Sequence, residues 1–195
     1  FEMTHLLKEK DNFLIIKVDI KRAADEVPTL STDWWNYGGI TRDVTVYELD
    51  QTFIEDYKIQ LTKNNNKEVS GYIQLNGENK GAQKVNLTIP ELKVNKTFTT
   101  DANGFVQVKF PVKRVKYWSD TNPKLYEVNI AIAKDEVNDK IGFRTIETKG
   151  KEILLNGEKI FLKGISIHEE NVMRGGRAWS IEDAKVLLGW AKELG

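Results

Sequence analysis

Along most of this chain apolar and polar positions alternate with a period of two. Tyr57, Ile59 and Leu61 alternate with Lys58, Gln60 and Thr62; Val85, Leu87 and Ile89 with Asn86 and Thr88; Tyr126, Val128, Ile130 and Ile132 with Glu127 and Asn129. Such alternation predicts strands buried on one face. Asn76-Gly77 and Asp101-Ala102-Asn103-Gly104 supply residues that tolerate positive φ. They predict tight hairpins, the second leading from Phe98 into a strand over residues 105–110. No helical period is found between Leu49 and about Phe143. Short strands at this spacing predict a β-sandwich of immunoglobulin size, and since the chain has no cysteine, apolar packing alone must hold it.

The flanks read differently. Residues 13–18 predict a buried strand and residues 44–49 another, separated by a charged, aperiodic loop over 21–31 that contains Pro28. After the sandwich, Ile153-Leu154-Leu155 and Ile160-Phe161-Leu162 flank Asn156-Gly157 and predict a hairpin, with residues 161–167 continuing into a buried parallel strand. Ser180 with Asp183 three residues on predicts a capping box. Ala184, Leu187, Leu188, Ala191 and Leu194 then fall on one helix face. Strand, loop and helix make one βα unit, too little to bury its own faces, so association into a homo-oligomer is left open.

The 29 basic and 29 acidic residues balance, and Lys and Arg are scattered, which argues against a nucleic-acid partner. No apolar run approaches the roughly 20 residues of a membrane span, so no membrane partner is expected. The absence of cysteine excludes a disulfide scaffold and a thiolate metal site. It leaves the compartment undetermined, with a periplasmic or secreted one expected.

The stretch richest in candidate chemistry is Asp33-Trp34-Trp35-Asn36-Tyr37-Gly38-Gly39-Ile40-Thr41-Arg42-Asp43-Val44. Aromatic faces, a carboxylate, an amide and paired glycines suit a sugar site; the same residues also suit a buried aromatic corner ahead of a strand. The stretch resembles the end of the sugar-binding domain of the β-galactosidase and β-glucuronidase family, glycoside hydrolase family 2, where an acid, two bulky residues and a glycine precede Ile-x-Arg-Asp. Tyr117-Trp118-Ser119-Asp120-Thr121-Asn122-Pro123-Lys124-Leu125-Tyr126 resembles that family's signature in its immunoglobulin-like domain. Ile141-Gly142-Phe143-Arg144-Thr145-Ile146, Leu155-Asn156-Gly157-Glu158-Lys159 and Lys163-Gly164-Ile165-Ser166-Ile167-His168-Glu169-Glu170 resemble the opening of its catalytic barrel.

The resemblance implies a mainly β chain: terminal strands of a jelly-roll sugar-binding domain over 1–48, an immunoglobulin-like β-sandwich over 49–145, and the first βα unit of a TIM barrel over 146–195. A whole enzyme of that family is several times longer than 195 residues, so the chain is expected to be a fragment. The implied activity is hydrolysis of terminal β-glycosidic bonds, on a β-galactoside or β-glucuronide substrate, with no cofactor. Both catalytic glutamates of the family fall on later barrel strands, so no catalytic residue is assigned. Asp33 matches the acid that reaches the bound sugar, and its alternative is an ordinary turn cap. His168 matches a sugar-contacting histidine at the C-terminal end of the first barrel strand, and its alternative is a structural histidine.

The remaining motifs carry no site. Glu169 and Glu170 are adjacent, and neighbours on an extended chain point to opposite faces, so they cannot flank one glycosidic bond and are read as loop-edge carboxylates. His168-Glu169-Glu170-Asn171-Val172 lacks the second histidine of a zinc helix, and Asp101 to Gly104 lacks the distant Glu of a calcium loop. No metal is expected. Asn86-Leu87-Thr88 and Asn95-Lys96-Thr97 are formal glycosylation triplets of a kind that chance supplies often. A carbohydrate-binding or adhesion module that performs no hydrolysis, with Trp34, Trp35 and Tyr37 as a platform, is the alternative function.

Overall fold

The computed structural model describes residues 1–27, 29–32 and 37–195. Pro28 and residues Asp33, Trp34, Trp35 and Asn36 lie outside the described residues. The chain divides into two compact units, one of Tyr47–Leu162 and one of Phe1–Val46 with Lys163–Gly195.

The first unit holds a seven-stranded sandwich. Strands β1 (Thr52–Thr62), β2 (Asn65–Gly77) and β5 (Phe105–Pro111) form one antiparallel sheet in the order β1-β2-β5. Strands β3 (Lys84–Ile89), β4 (Val94–Thr99), β6 (Tyr126–Ala131) and β7 (Glu136–Ile141) form the other in the order β4-β3-β6-β7. The alternating residues close on one another between the sheets. Val69, Ile73, Leu75, Val85, Leu87 and Val108 are wholly buried, as are nearly Tyr126, Val128 and Ile130. Each such aliphatic side chain contributes about 1.5–3 kcal/mol by leaving water.

The two predicted hairpins are not hairpins. Asn76-Gly77 ends β2 and leads to β3, and residues 100–104 lead from β4 to β5, so both connections cross from one sheet to the other. Turn-forming residues mark a reversal and say nothing of which strands it joins. Buried Thr100 ties the two crossings: its hydroxyl donates to the Lys80 carbonyl at 2.8 Å and accepts from the Gln83 amide at 2.9 Å. Asp101 Oδ1 takes the amides of Asn103 and Phe105 at 2.8 and 2.9 Å.

Where the ladder pattern breaks, side chains satisfy the backbone. β1 carries an irregularity between Ile54 and Asp56, and the Ile54 amide donates to Asp135 Oδ2 at 2.8 Å. The Tyr57 hydroxyl donates to Asp139 Oδ2 at 2.8 Å, which closes the same edge between β1 and β7. Burial, and then the hydrogen bond to Asp139 and that carboxylate's charge, push the Tyr57 hydroxyl up to about 12. At the start of β6 the Tyr126 hydroxyl accepts from the Lys116 amide at 2.8 Å, the arrangement of a tyrosine corner in an immunoglobulin-like sandwich.

A three-stranded sheet follows, β8 (Ile146–Lys149), β9 (Glu152–Leu155) and β10 (Glu158–Ile160), in the order β10-β9-β8. Asn156 and Gly157 turn β9 into β10 with φ of 54° and 86°, the paired left-handed values that Asn-Gly adopts most readily. The predicted hairpin thus forms, though it ends at Ile160.

In the second unit the helix α1 (Ile181–Glu193) forms behind its capping box, as predicted. The predicted strands over 13–18, 44–49 and 161–167, the last two of which include residues 47–49 and 161–162 of the first unit, do not form; those residues lie outside every ladder, with Phe13 84% and Phe161 86% exposed. An extended segment becomes a strand only when a neighbour takes its amides and carbonyls, and none of the described residues of this unit does so beyond one bridge, Glu170 with Arg177. As expected of a unit too small to bury its own faces, the apolar helix face is left uncovered: Leu188 and Leu194 are exposed. No described helix is long and apolar enough to cross a membrane.

Tyr126→Phe keeps the buried ring and strands the Lys116 amide, so it should destabilise the sandwich by about 1–3 kcal/mol. Denaturant unfolding checks this, with a lower midpoint expected at an unchanged m-value; an unchanged midpoint would show that water replaces the hydroxyl freely.

Candidate functional site

The second unit brings two of the sequence motifs together. Arg42, in the Ile-x-Arg-Asp motif, donates from Nη2 to Glu169 Oε2 at 3.0 Å, across 127 positions of sequence. Arg177 Nη2 donates to the same oxygen at 2.6 Å. Two guanidinium groups around one carboxylate hold Glu169 ionised: the hydrogen bond from Arg177 and then the charge of Arg42 keep its carboxyl below its ordinary range. A general acid needs the opposite shift, so Glu169 is unsuited to protonating a leaving group.

Immediately after His168 the backbone folds into a hydrogen-bonded loop. The Glu170 amide donates to the His168 carbonyl at 2.7 Å, the Ala178 amide to the Glu169 carbonyl at 2.8 Å, and the Asn171 amide to the Gly176 carbonyl at 2.9 Å. Asn171 Oδ1 takes the amides of Met173 and Arg174, each at 2.9 Å. Asp183 organises all of this from the first turn of α1. Its Oδ2 accepts from the amides of Trp179 and Ser180 at 3.0 and 3.2 Å and from Arg174 Nη2, while Asn171 Nδ2 donates to its Oδ1. The Asp183 amide in turn donates to the Ser180 hydroxyl at 3.1 Å.

Burial alone would raise the Asp183 carboxyl. The hydrogen bonds from Ser180, Asn171, Trp179 and Arg174 outweigh it and hold the group well below the usual carboxylate range. Behind the loop lies a cavity of about 40 Å³ lined by Val172, Ala178, Leu187 and Trp190, too small for a sugar.

His168 is exposed at the start of this loop, next to Glu169. Asp33 lies outside the described residues, so its position relative to His168 is not given by the structure. Described residues of the same motif do have a defined setting. Tyr37 is half-buried, and Gly38 sits where a Cβ would come within 2.6 Å of Ile20 Cγ2. Among the described residues no group of three or more His, Asp or Glu could hold a metal ion. The roles of Arg42, Arg177 and Arg174 were missed by sequence reasoning. The available signal was that both Glu169 and Asp183 carry oxygens in need of partners among only a few nearby cations.

Comparison with known proteins follows the same outline. Residues 52–144, the sandwich and its exit, match the family described as glycosyl hydrolases family 2. A putative β-glucuronidase of Formosa agariphila is 26% identical over 94% of this chain and 24% of its own length. A β-galactosidase of Streptococcus thermophilus is 29% identical over 94% of this chain and 18% of its own. Among solved structures, a GH2 β-galacturonidase from Eisenbergiella tayi bound to galacturonate has a TM-score of 0.71 at 26% identity, covering 91% of this chain and 33% of that one. The match to glycosyl hydrolases family 2 is thus carried by residues 52–144, and relatives named glucuronidase and galactosidase align over 94% of the chain. The chain spans a quarter or less of the length of these curated relatives.

Because the Asp183 carboxyl is depressed in the folded chain, its stabilisation is fully present above the unfolded value near 3.9 and is lost as pH falls below it. Helicity of residues 181–193 followed by NMR should therefore decline between about pH 5 and pH 2. In Asp183→Asn the helix should be weaker at neutral pH and nearly insensitive to pH over that range; an equally steep decline there would assign the transition to another group.

Proposed function

We propose that this chain is part of an exo-acting glycosidase that hydrolyses terminal β-glycosidic bonds, with a β-galactoside or β-uronide as substrate. In this reading residues 1–48 carry the end of a jelly-roll sugar-binding domain, 49–145 the sandwich, and 146–195 the first βα unit of a TIM barrel. The carrying observation is the Arg42–Glu169 pair. It joins the segment that follows Asp33 to the segment that contains His168, the two places where the sequence supplies sugar-binding groups. The names of the relatives support the same chemistry, since those proteins are a galactosidase, a glucuronidase and a galacturonidase.

In this reading Asp33 accepts hydrogen bonds from sugar hydroxyls and His168 contacts the glycone. The Glu169 carboxylate fixes the approach of the two segments and takes no proton. The acid and nucleophile, about 5–5.5 Å apart in a retaining enzyme, are supplied by residues other than those of this chain. A whole barrel is needed before the loop after His168 becomes one wall of a cleft.

The chain alone should therefore give no turnover of nitrophenyl β-galactoside or β-glucuronide. Turnover by the pure chain that disappears with Glu169→Gln or Glu170→Gln would relocate the chemistry.

In the full-length enzyme, Asp33→Ala and His168→Ala should each lower kcat/KM by roughly 10- to 1,000-fold, the loss of about 1.5–4 kcal/mol of transition-state binding. Asp33→Asn should lose activity too, because the charge is part of the bond. An unchanged kcat/KM in either alanine variant removes that residue from the site.

A further inference from the structure

Beyond the Tyr57–Asp139 hydrogen bond the closed edge of the sandwich opens. Ile54 and Tyr57 are tied to Asp135 and Asp139 respectively, so the two chains run in the same direction along this edge. Past the tie, residues 58–64 and 140–148 line a groove of about 940 Å³. That is the size range of sites that take sugar-sized and larger small ligands.

Its charge stands out in a chain whose total is zero. Lys58, Lys63, Lys140 and Arg144 line it, opposed by Glu147 alone. Lys140 pairs with Glu127 at 3.2 Å, and Arg144 lies over the Trp118 ring at 5.2 Å with Nη1 donating to the Gly142 carbonyl. Lys58 and Lys63 make no ion pair among the described residues. Between them along β1 stand Gln60 and Thr62, and Asn64 follows. The Thr62 hydroxyl is buried and has no hydrogen-bond partner among the described residues. The lining carries no exposed aromatic ring, since Phe143 is buried, so a ligand here is held by charge and hydrogen bonds and not by stacking.

We propose that this groove binds an anionic oligosaccharide, one whose sugars carry carboxylates. The inference rests on the glycosidase reading, which supplies the saccharide. The lysines would pair with carboxylates, and the amides of Gln60 and Asn64, which both donate and accept, match a ligand dense in hydroxyls. An acidic peptide would satisfy the cations and leave those amides without that match. The sandwich then holds the acidic chain on which the enzyme acts.

The test is an NMR titration of the whole chain with tri-galacturonate, alongside maltotriose and hexaglutamate. Tri-galacturonate should shift the amides of residues 58–64 and 140–148, and maltotriose at the same concentration should not. Affinity should fall at least fivefold between about 50 and 300 mM salt, because exposed charges are screened over roughly a Debye length. Lys58→Gln with Lys63→Gln should weaken binding at least tenfold at an unchanged melting temperature, and the single Lys63→Gln, on the exposed β1–β2 turn, should weaken it in part. Silence in the groove, equal binding of hexaglutamate, or indifference to these variants would overturn the proposal. The glycosidase reading fails separately: a full-length enzyme without glycosidase turnover would sink it while leaving the groove shifts in place.

Discussion

The interaction on which the junction between the sandwich and the β8–β10 sheet depends is the grip of Asn156 on the loop before β6. Its Nδ2 donates to the Trp118 carbonyl at 2.9 Å, its Oδ1 accepts from the Thr145 amide at 3.1 Å, and its own amide donates to the Thr145 carbonyl at 2.9 Å. One side chain thus joins three segments far apart in sequence. The Trp118 amide donates to the Phe143 carbonyl at 2.9 Å, and Trp118 packs so close to Gly142 that a Cβ there would meet the indole at 2.9 Å. Phe143 is buried against Tyr126, with ring centroids 5.5 Å apart. Through these contacts the β8–β10 sheet is built onto the sandwich, and the chain leaves it toward Lys163 from a fixed point.

The two units are held by different forces. In the sandwich an apolar core does the work, and polar groups act where ladders break, at Ile54, Thr100 and Lys116. In the unit of Phe1–Val46 and Lys163–Gly195 order is polar: Glu169 between two arginines, and Asp183 with its amides, Asn171 and Arg174. The exposed Arg42–Glu169 pair contributes little to stability by itself, since two solvated charges gain only modestly by pairing. Its value is geometric. It brings together segments 127 positions apart in the sequence.

The sandwich was legible in the sequence because period-two alternation states both that a strand exists and which face it buries, and every core residue of β3 and β6 followed that pattern. The capping box and the Asn156-Gly157 turn were legible because each depends on residues a few positions apart. Strand partnership was not legible. Asn76-Gly77 and the Asp101 to Gly104 turn looked like hairpins and are crossings between sheets, a difference set by packing across the core. The apolar runs over 13–18 and 161–167 looked like strands, yet a strand exists only where another edge receives it. Arg42 as a partner of Glu169 was invisible for a related reason, because pairing over 127 positions leaves no local trace, whereas Arg177 stands only eight positions from Glu169.

The family signatures around Trp118, Gly142-Phe143 and Asn156 lie far apart in the sequence and adjoin in the structure, and the central claim is that they act as one joint. Hydrogen exchange on Asn156→Ala tests it most directly. The amides of residues 146–160 should lose most of their protection while those of β3 and β6 keep theirs. If the β8–β10 amides exchange as slowly as before, the sheet is held by its own ladder and the joint is not what fixes it.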